Sequence, residues 1–125
     1  MRITRAEAEA YFAHKSQRKA AMLNGPLPDG LQYYADAGVC LATHGGMWPG
    51  LVMVHIGAKP EAWGCVDSIG TRLLHEIWDT EKPDRITAWF KESNRAVRAL
   101  CLRIGMTFDG RLDLPEPVLI YGWRA

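Results

Sequence analysis

The segment from Asn94 to Arg111 constrains the fold of this 125-residue chain more than any other part of the sequence. Asn94 stands where a helix N-cap accepts a backbone N–H, and Gly105 stands where a helix ends in the left-handed conformation that glycine tolerates. Between them, apolar side chains recur at the i, i+3, i+4, i+7 spacing of one helical face, at Val97, Leu100, Cys101 and Ile104. The segment therefore predicts a short amphipathic helix followed by a strand.

The same segment resembles a motif of the GNAT superfamily of acetyl-CoA-dependent N-acetyltransferases. Their last helix follows the pattern N-x-x-A-x-x-L-x-x-x-x-G-F, often with x-x-E-G after it. The chain matches this register, with a valine in place of the usual small residue, at Asn94, Val97, Leu100, Gly105, Met106 and Asp109-Gly110. The pairing of Gly-aromatic with Glu-Gly resembles the branch that acetylates protein N-termini and antibiotics. The resemblance implies a mixed α/β (α+β) fold, in which helices flank a mostly antiparallel central sheet.

Length, charge and cysteine content argue against several other classes of protein. A chain of this length is expected to form a single domain, residues 1–125, whose core needs no disulfides. The formal net charge of +1 argues against a nucleic-acid binder, which usually carries a basic excess. Since no apolar run reaches the length of a membrane span or of a signal-peptide core, a cytoplasmic protein without a membrane partner is expected. The three widely spaced cysteines predict neither a disulfide framework nor a metal site.

Capping and breaker residues divide the chain into elements. Thr4 to Glu7 fits a capping box, so a helix is expected from there to about Leu23, with Met22 near its end. Glycine and proline clusters separate strand-forming runs at 31–35, 38–43, 51–56, 85–90, 107–114 and 118–123. A helix around 69–78 and the Asn94 helix complete the order helix, three strands, helix, strand, helix, two strands. This is the GNAT order with an abbreviated N-terminal part, in which only residues 1–3 leave room for a first strand.

The resemblance also implies where acetyl-CoA binds: between two central strands, here 51–56 and 85–90, with its pyrophosphate at the start of a helix. The family's loop there follows P-x-x-R-G-x-G-x-G/A. Aligned on Pro60, the cofactor-binding candidates are Ile56, Trp63, Gly64, Cys65, Val66, Asp67, Ser68 and Asn94. Two interpretations of Asp67 and Ser68 stay open. Either residue caps the following helix, or both belong to a phosphate cradle, in which the Asp67 carboxylate repels the pyrophosphate.

Acetyl transfer needs a base for the amine proton, donors for the oxyanion and an acid for the leaving thiolate. His55 is the best candidate for the base because imidazole titrates near neutral pH, and the alternative is a hydrogen-bonded core or interface histidine. His44 is a second candidate. The family often places a tyrosine acid where this chain has Cys101, which fits core packing as well. The aromatic residues that either line an acceptor pocket or pack in the core or in turns are Tyr33, Tyr34 and Trp48.

Two functions fit these observations. The first is a GNAT-type N-acetyltransferase that passes acetyl from acetyl-CoA to an amine of a protein or small molecule. The second is a non-catalytic GNAT-like binding or assembly protein with a degenerate cofactor loop, such as a bacteriophage head-assembly or virion component, with a second copy or a virion protein as its partner. The loop from Trp63 to Ser68 separates them: an open, positively charged notch favours the enzyme, whereas a notch filled by Trp63 or Asp67 favours the binding protein.

Overall fold

A mixed sheet organises the computed structural model, which describes residues 1–21 and 23–125. Within these residues it has seven strands, in the spatial order β1-β2-β3-β4-β5-β7-β6. They are β1 (Arg2–Ile3), β2 (Gln32–Asp36), β3 (Val39–Gly45), β4 (Leu51–Ala58), β5 (Arg85–Lys91), β6 (Thr107–Leu112) and β7 (Val118–Trp123). Neighbouring strands are antiparallel except for β4 and β5, which run parallel. The expected mixed, mostly antiparallel sheet is confirmed, and the predicted strand ends are shifted by two residues at most.

The parallel pair β4 and β5 separates part-way along its length. Only three residue pairs join the two strands, Leu51–Arg85, Val52–Ile86 and Met53–Thr87. Beyond them β4 continues to Ala58 and β5 to Lys91, each still paired with its antiparallel neighbour. The sheet is therefore open between the carboxyl ends of its two central strands.

Two longer helices, α3 (Val66–Glu81) and α4 (Arg95–Ile104), pack on one face of the sheet. Asn94 caps α4 by accepting the Val97 N–H at 3.2 Å, and Gly105 ends the helix with a φ of 91°. Both roles were predicted from the sequence. The core under these helices includes Leu73, Ile77, Ile86, Cys101 and Tyr121. Among the described residues no helix combines the length and apolar character that crossing a bilayer requires.

The expected long helix between Thr4 and Leu23 is wrong, because the chain breaks there into three short pieces. They are α1 (Arg5–Ala8), a 3-10 turn (Glu9–Tyr11) and α2 (Lys15–Ala20). The break turns the Phe12 ring into the core on the second face of the sheet, against Gly57, where a methyl group would lie 2.7 Å from the ring. The His14 ring then starts α2 by accepting the Ser16 N–H. The predicted capping box at Thr4 is present, and Met22 lies outside the described residues.

A half-buried carboxylate joins the end of α3 to the sheet. Glu81 Oε2 accepts hydrogen bonds from the Tyr34 hydroxyl at 2.7 Å and from the Thr43 hydroxyl at 2.8 Å. Burial, together with this carboxylate, raises the pKa of Tyr34 well above its ordinary value. The three side chains hold α3 in a fixed position over β2 and β3, and so fix where the helix begins beside the open part of the sheet.

Candidate functional site

A cleft of about 750 Å³ lies at the open end of the sheet, between β4, α2 and the start of α4. The Ala58 N–H points into it and donates to Gln17 Oε1 at 3.0 Å. The Lys59 N–H points the other way and donates to the carbonyl of Gly38, the residue just before β3. Since backbone N–H groups alternate in direction along a strand, the Ile56 N–H points to the same side as that of Ala58. β4 therefore presents backbone donors to the cleft instead of to β5.

Positive charge dominates the walls of this cleft. Among the lining residues that the structure describes, four are basic, Lys19, Lys91, Arg95 and Arg103. The acidic one is Glu116, which pairs with Lys91 at 3.1 Å. A concave surface with this charge balance attracts anionic groups such as phosphates.

The start of α3, where the sequence suggested a phosphate loop, is partly occupied by the chain's own carboxylate. Residues 60–65 form a 3-10 helix, and Cys65 takes the N-cap position of α3 without a side-chain hydrogen bond. The interpretation of Asp67 or Ser68 as the cap is therefore wrong. Asp67 Oδ1 instead accepts the Ser68 N–H at 2.9 Å, and its other oxygen lies 3.7 Å from Arg103 Nε.

The predicted cofactor-binding residues divide into two groups. Ile56, Trp63, Val66 and Asn94 line the cleft, whereas Gly64, Cys65, Asp67 and Ser68 lie outside its lining. Trp63 forms a wall of the cleft: its Nε1 donates to the Ala58 carbonyl at 3.3 Å and its ring contacts His14 edge-on. The cleft thus stays open beside Trp63, and Asp67 competes only for the first turn of α3.

His55 and His44 form a hydrogen-bonded pair on the face of the sheet opposite α3 and α4. Their Nε2 atoms lie 2.9 Å apart, and His44 Nδ1 lies 2.9 Å from the Gly45 carbonyl. Because a carbonyl only accepts, His44 Nδ1 carries a proton, and with the proton on that nitrogen His44 Nε2 accepts from His55 Nε2. Among the described residues none forms a hydrogen bond with His55 Nδ1, so this arrangement leaves its lone pair available. Burial first, and His44 second, lower the pKa of His55, so the ring is neutral near pH 7.

Three cavities lie next to one another around the separation of β4 and β5, and neighbouring cavities share lining residues. The cleft adjoins an internal cavity of about 60 Å³ at the separation of β4 and β5, and the two share Ala20, Ile56, Val97 and Leu100. On the opposite side, the internal cavity adjoins an apolar pocket of about 400 Å³, with which it shares Ala21 and His55. His55 therefore lies between the internal cavity and the apolar pocket on the other face of the sheet.

Comparisons with known proteins agree with this geometry. No protein-family model matches the sequence, and no curated protein does. Solved structures do match. A point mutant of the spermidine N-acetyltransferase SpeG from Vibrio cholerae is 12% identical, with a TM-score of 0.71 over 98% of this chain and 92% of that one. The ribosomal-protein-S5-alanine acetyltransferase from Vibrio fischeri is 11% identical, with a TM-score of 0.69 over 98% and 90%.

A third match is the microcin C7 self-immunity acetyltransferase MccE in complex with acetyl-CoA and AMP, 15% identical with a TM-score of 0.58. It covers 74% of this chain, which spans only 59% of that protein. The strand order, the separated parallel pair and these likenesses agree. The chain has the GNAT fold.

Within the GNAT fold the remaining predicted site residues take the following places. Cys101 lines the internal cavity but is buried in the core, and burial raises the pKa of its thiol to about 11. Tyr33 and Tyr34 are buried and bonded to other groups, and Trp48 is exposed in the β3–β4 loop. None of these three aromatic residues lines any of the three cavities described above.

Sequence reasoning missed the residues that α2 and α4 bring to the cleft. Gln17, Lys19 and Arg103 belong to no motif, and they converge only because α2 and α4 meet over the open end of the sheet. The one local signal was His14, a polar residue that can accept a backbone N–H after the aromatic pair Tyr11-Phe12 and that marks the start of α2.

Proposed function

We propose that this chain is a GNAT-type N-acetyltransferase that transfers acetyl from acetyl-CoA to an amine of a protein or small molecule. The observation that carries the proposal is the row of adjoining cavities that runs from a positively charged cleft, past the separated strands, to a pocket lined by His55. A donor and an acceptor that enter from opposite faces of the sheet would meet at this histidine.

The cleft residues fit the donor. Acetyl-CoA supplies an activated acetyl group as a thioester and carries anionic phosphates. Lys19, Arg95 and Arg103 would attract the phosphates. The Ile56 N–H would donate to the donor at the opening in the sheet, and the uncapped first turn of α3 is only partly available because of Asp67.

His55 is the proposed base. A neutral imidazole with a free Nδ1 lone pair can take a proton from an amine as the amine attacks the thioester carbonyl. His44 is a positioning residue in this proposal, because its bond to Gly45 fixes which nitrogen of His55 is free. Cys101 needs no role in proton transfer and is assigned to the core.

Two measurements test the proposal. Isothermal titration with acetyl-CoA is expected to give a measurable Kd. His55→Gln is expected to lower kcat by about 10²-fold or more while acetyl-CoA still binds, because general-base catalysis contributes that much. His75→Gln is the matched control, since His75 lies exposed on α3 against Trp123, and it should leave kcat unchanged.

A negative result in either measurement would contradict a different part of the proposal. Equal turnover in His55→Gln would remove His55 from the mechanism. No detectable heat at millimolar acetyl-CoA would overturn the enzyme proposal and leave the non-catalytic binding or assembly hypothesis.

A further inference from the structure

The apolar pocket beyond His55 carries information about the acceptor. Of the nine lining residues that the structure describes, seven are apolar, among them Phe12, Leu27 and Leu31, and the other two are His44 and His55. None of the nine is a carboxylate. Its volume of about 400 Å³ lies in the range of small-ligand sites.

Hydrogen bonds hold the wall of this pocket in place. The Leu27 N–H donates to Glu9 Oε1 at 2.9 Å, and the Leu27 carbonyl accepts from Arg5 at 3.2 Å. The Tyr33 hydroxyl donates to the Pro28 carbonyl at 3.0 Å. The segment between α2 and β2 is therefore anchored at Leu27 and Pro28, and the Glu9 carboxylate is occupied by its hydrogen bond to the Leu27 N–H. The wall of the pocket is therefore preformed by contacts within the chain.

Such a pocket discriminates between classes of amine. A polyamine would bring several charges into a site that offers no carboxylate, and an unpaired charge is costly to bury. An amine on an aromatic or branched aliphatic group would bury that group, and the apolar surroundings would favour the neutral, nucleophilic form of its nitrogen beside His55.

We propose that the pocket binds the apolar part of the acceptor, so that the acceptor is a primary amine carried on an aromatic or branched aliphatic group. The proposal rests on the proposed acetyltransferase function for its catalytic meaning. The pocket itself is tested without acetyl-CoA, so the two proposals can fail separately.

The test is direct binding of 2-phenylethylamine, a peptide with N-terminal phenylalanine and spermidine to the whole chain, followed by NMR of the histidine rings. Either aromatic amine is expected to shift the signals of His44 and His55 and to bind at least about tenfold more tightly than spermidine. Whichever of these two amines binds more tightly shows whether the acceptor is a small molecule or a protein N-terminus. Equal or tighter binding of spermidine would overturn the proposal.

A variant pair sharpens the result. Leu31→Glu places a carboxylate in the pocket from a half-buried position, and it is expected to weaken aromatic amine binding at least about tenfold and to strengthen spermidine binding. Leu114→Glu, at an exposed leucine between β6 and β7, should change neither.

Unchanged binding in folded Leu31→Glu would contradict the proposal. Should that variant lose its cooperative thermal transition, Leu31→Ala replaces it, with an expected loss of about fivefold, and full retention of affinity there is equally contradictory. Aromatic amine binding without acetyl-CoA binding would overturn the proposed enzyme while leaving the pocket assignment intact.

Discussion

Replacing Asp67 with asparagine is expected to tighten acetyl-CoA binding and to make the fold slightly less stable. Asp67 places a carboxylate on the first turn of α3, where it accepts the Ser68 N–H and pairs with Arg103. An anion bound at the same turn would be repelled by the Asp67 carboxylate. It would also find the Ser68 N–H and the Arg103 guanidinium already bound to that carboxylate. Asparagine keeps the size of the side chain and removes the charge.

The substitution is expected to weaken folding and to strengthen acetyl-CoA binding. The Asp67 and Arg103 side chains are 43% and 56% exposed and 3.7 Å apart, so their pair stabilises the fold by under about 1 kcal/mol. A negative charge at a helix N-terminus adds about 0.3–1 kcal/mol. We therefore expect the free energy of unfolding to fall by about 1 kcal/mol. Removing the repulsion and releasing Arg103 should gain about 1–2 kcal/mol in binding, or about tenfold in Kd.

Isothermal titration with acetyl-CoA at low and high salt measures the change in Kd, and thermal unfolding measures the change in stability. The gain should shrink at high salt, because the charges are exposed. Asp79→Asn is the matched control: Asp79 is exposed near the other end of α3, so its removal should leave the Kd unchanged. An unchanged or weaker Kd for a folded Asp67→Asn protein would refute the reasoning that acetyl-CoA phosphates approach α3 at all.

Three further predictions concern stability and reactivity. Glu81→Ala should cost about 2–4 kcal/mol in urea unfolding because two buried hydroxyls lose a charged acceptor, whereas Glu61→Ala at an exposed position should be nearly neutral. Since the pKa of His55 is lowered on folding, the unfolded chain binds more protons than the folded chain below about pH 6.5. The free energy of unfolding should therefore decrease as the pH is lowered through that range. This dependence on pH should be weaker in His55→Gln, and an equally steep dependence in that variant would contradict the prediction. Iodoacetamide should modify exposed Cys65 in the native protein but not Cys101, whose burial raises its pKa to about 11. Mass spectrometry of the labelled protein measures this, and labelling of Cys101 but not of Cys65 would contradict the prediction.

The elements that the sequence predicted well are those whose signals are local. The helix at Asn94 has its cap, its apolar face and its glycine stop within a dozen residues, and all three are present in the structure. The break after α1 was not predicted. Ala8, Tyr11 and Phe12 lie at helical spacing, but the space under Phe12 exists only because β4 has a glycine at position 57.

The sequence predicted only part of the lining of the candidate site, because only part of it follows from local signals. Ile56, Trp63, Val66 and Asn94 were reached through a motif register and do line the cleft. Whether they or His55 act in catalysis stays a prediction. The motif also pointed to Gly64, Cys65, Asp67 and Ser68, which the structure places outside the cleft, because a register along the chain does not say which turn faces the opening.

By itself, the sequence determined the order of the strands and of the two longer helices and the capping of α4, since these depend on residues close together in the chain. Only the tertiary structure decided that β4 and β5 part after three residue pairs, that four basic side chains from different elements face one cleft, and that His44 directs the free nitrogen of His55. Each depends on residues that are distant in sequence, whose meeting is set by how helices pack across a twisted sheet. No spacing along the chain encodes that packing directly.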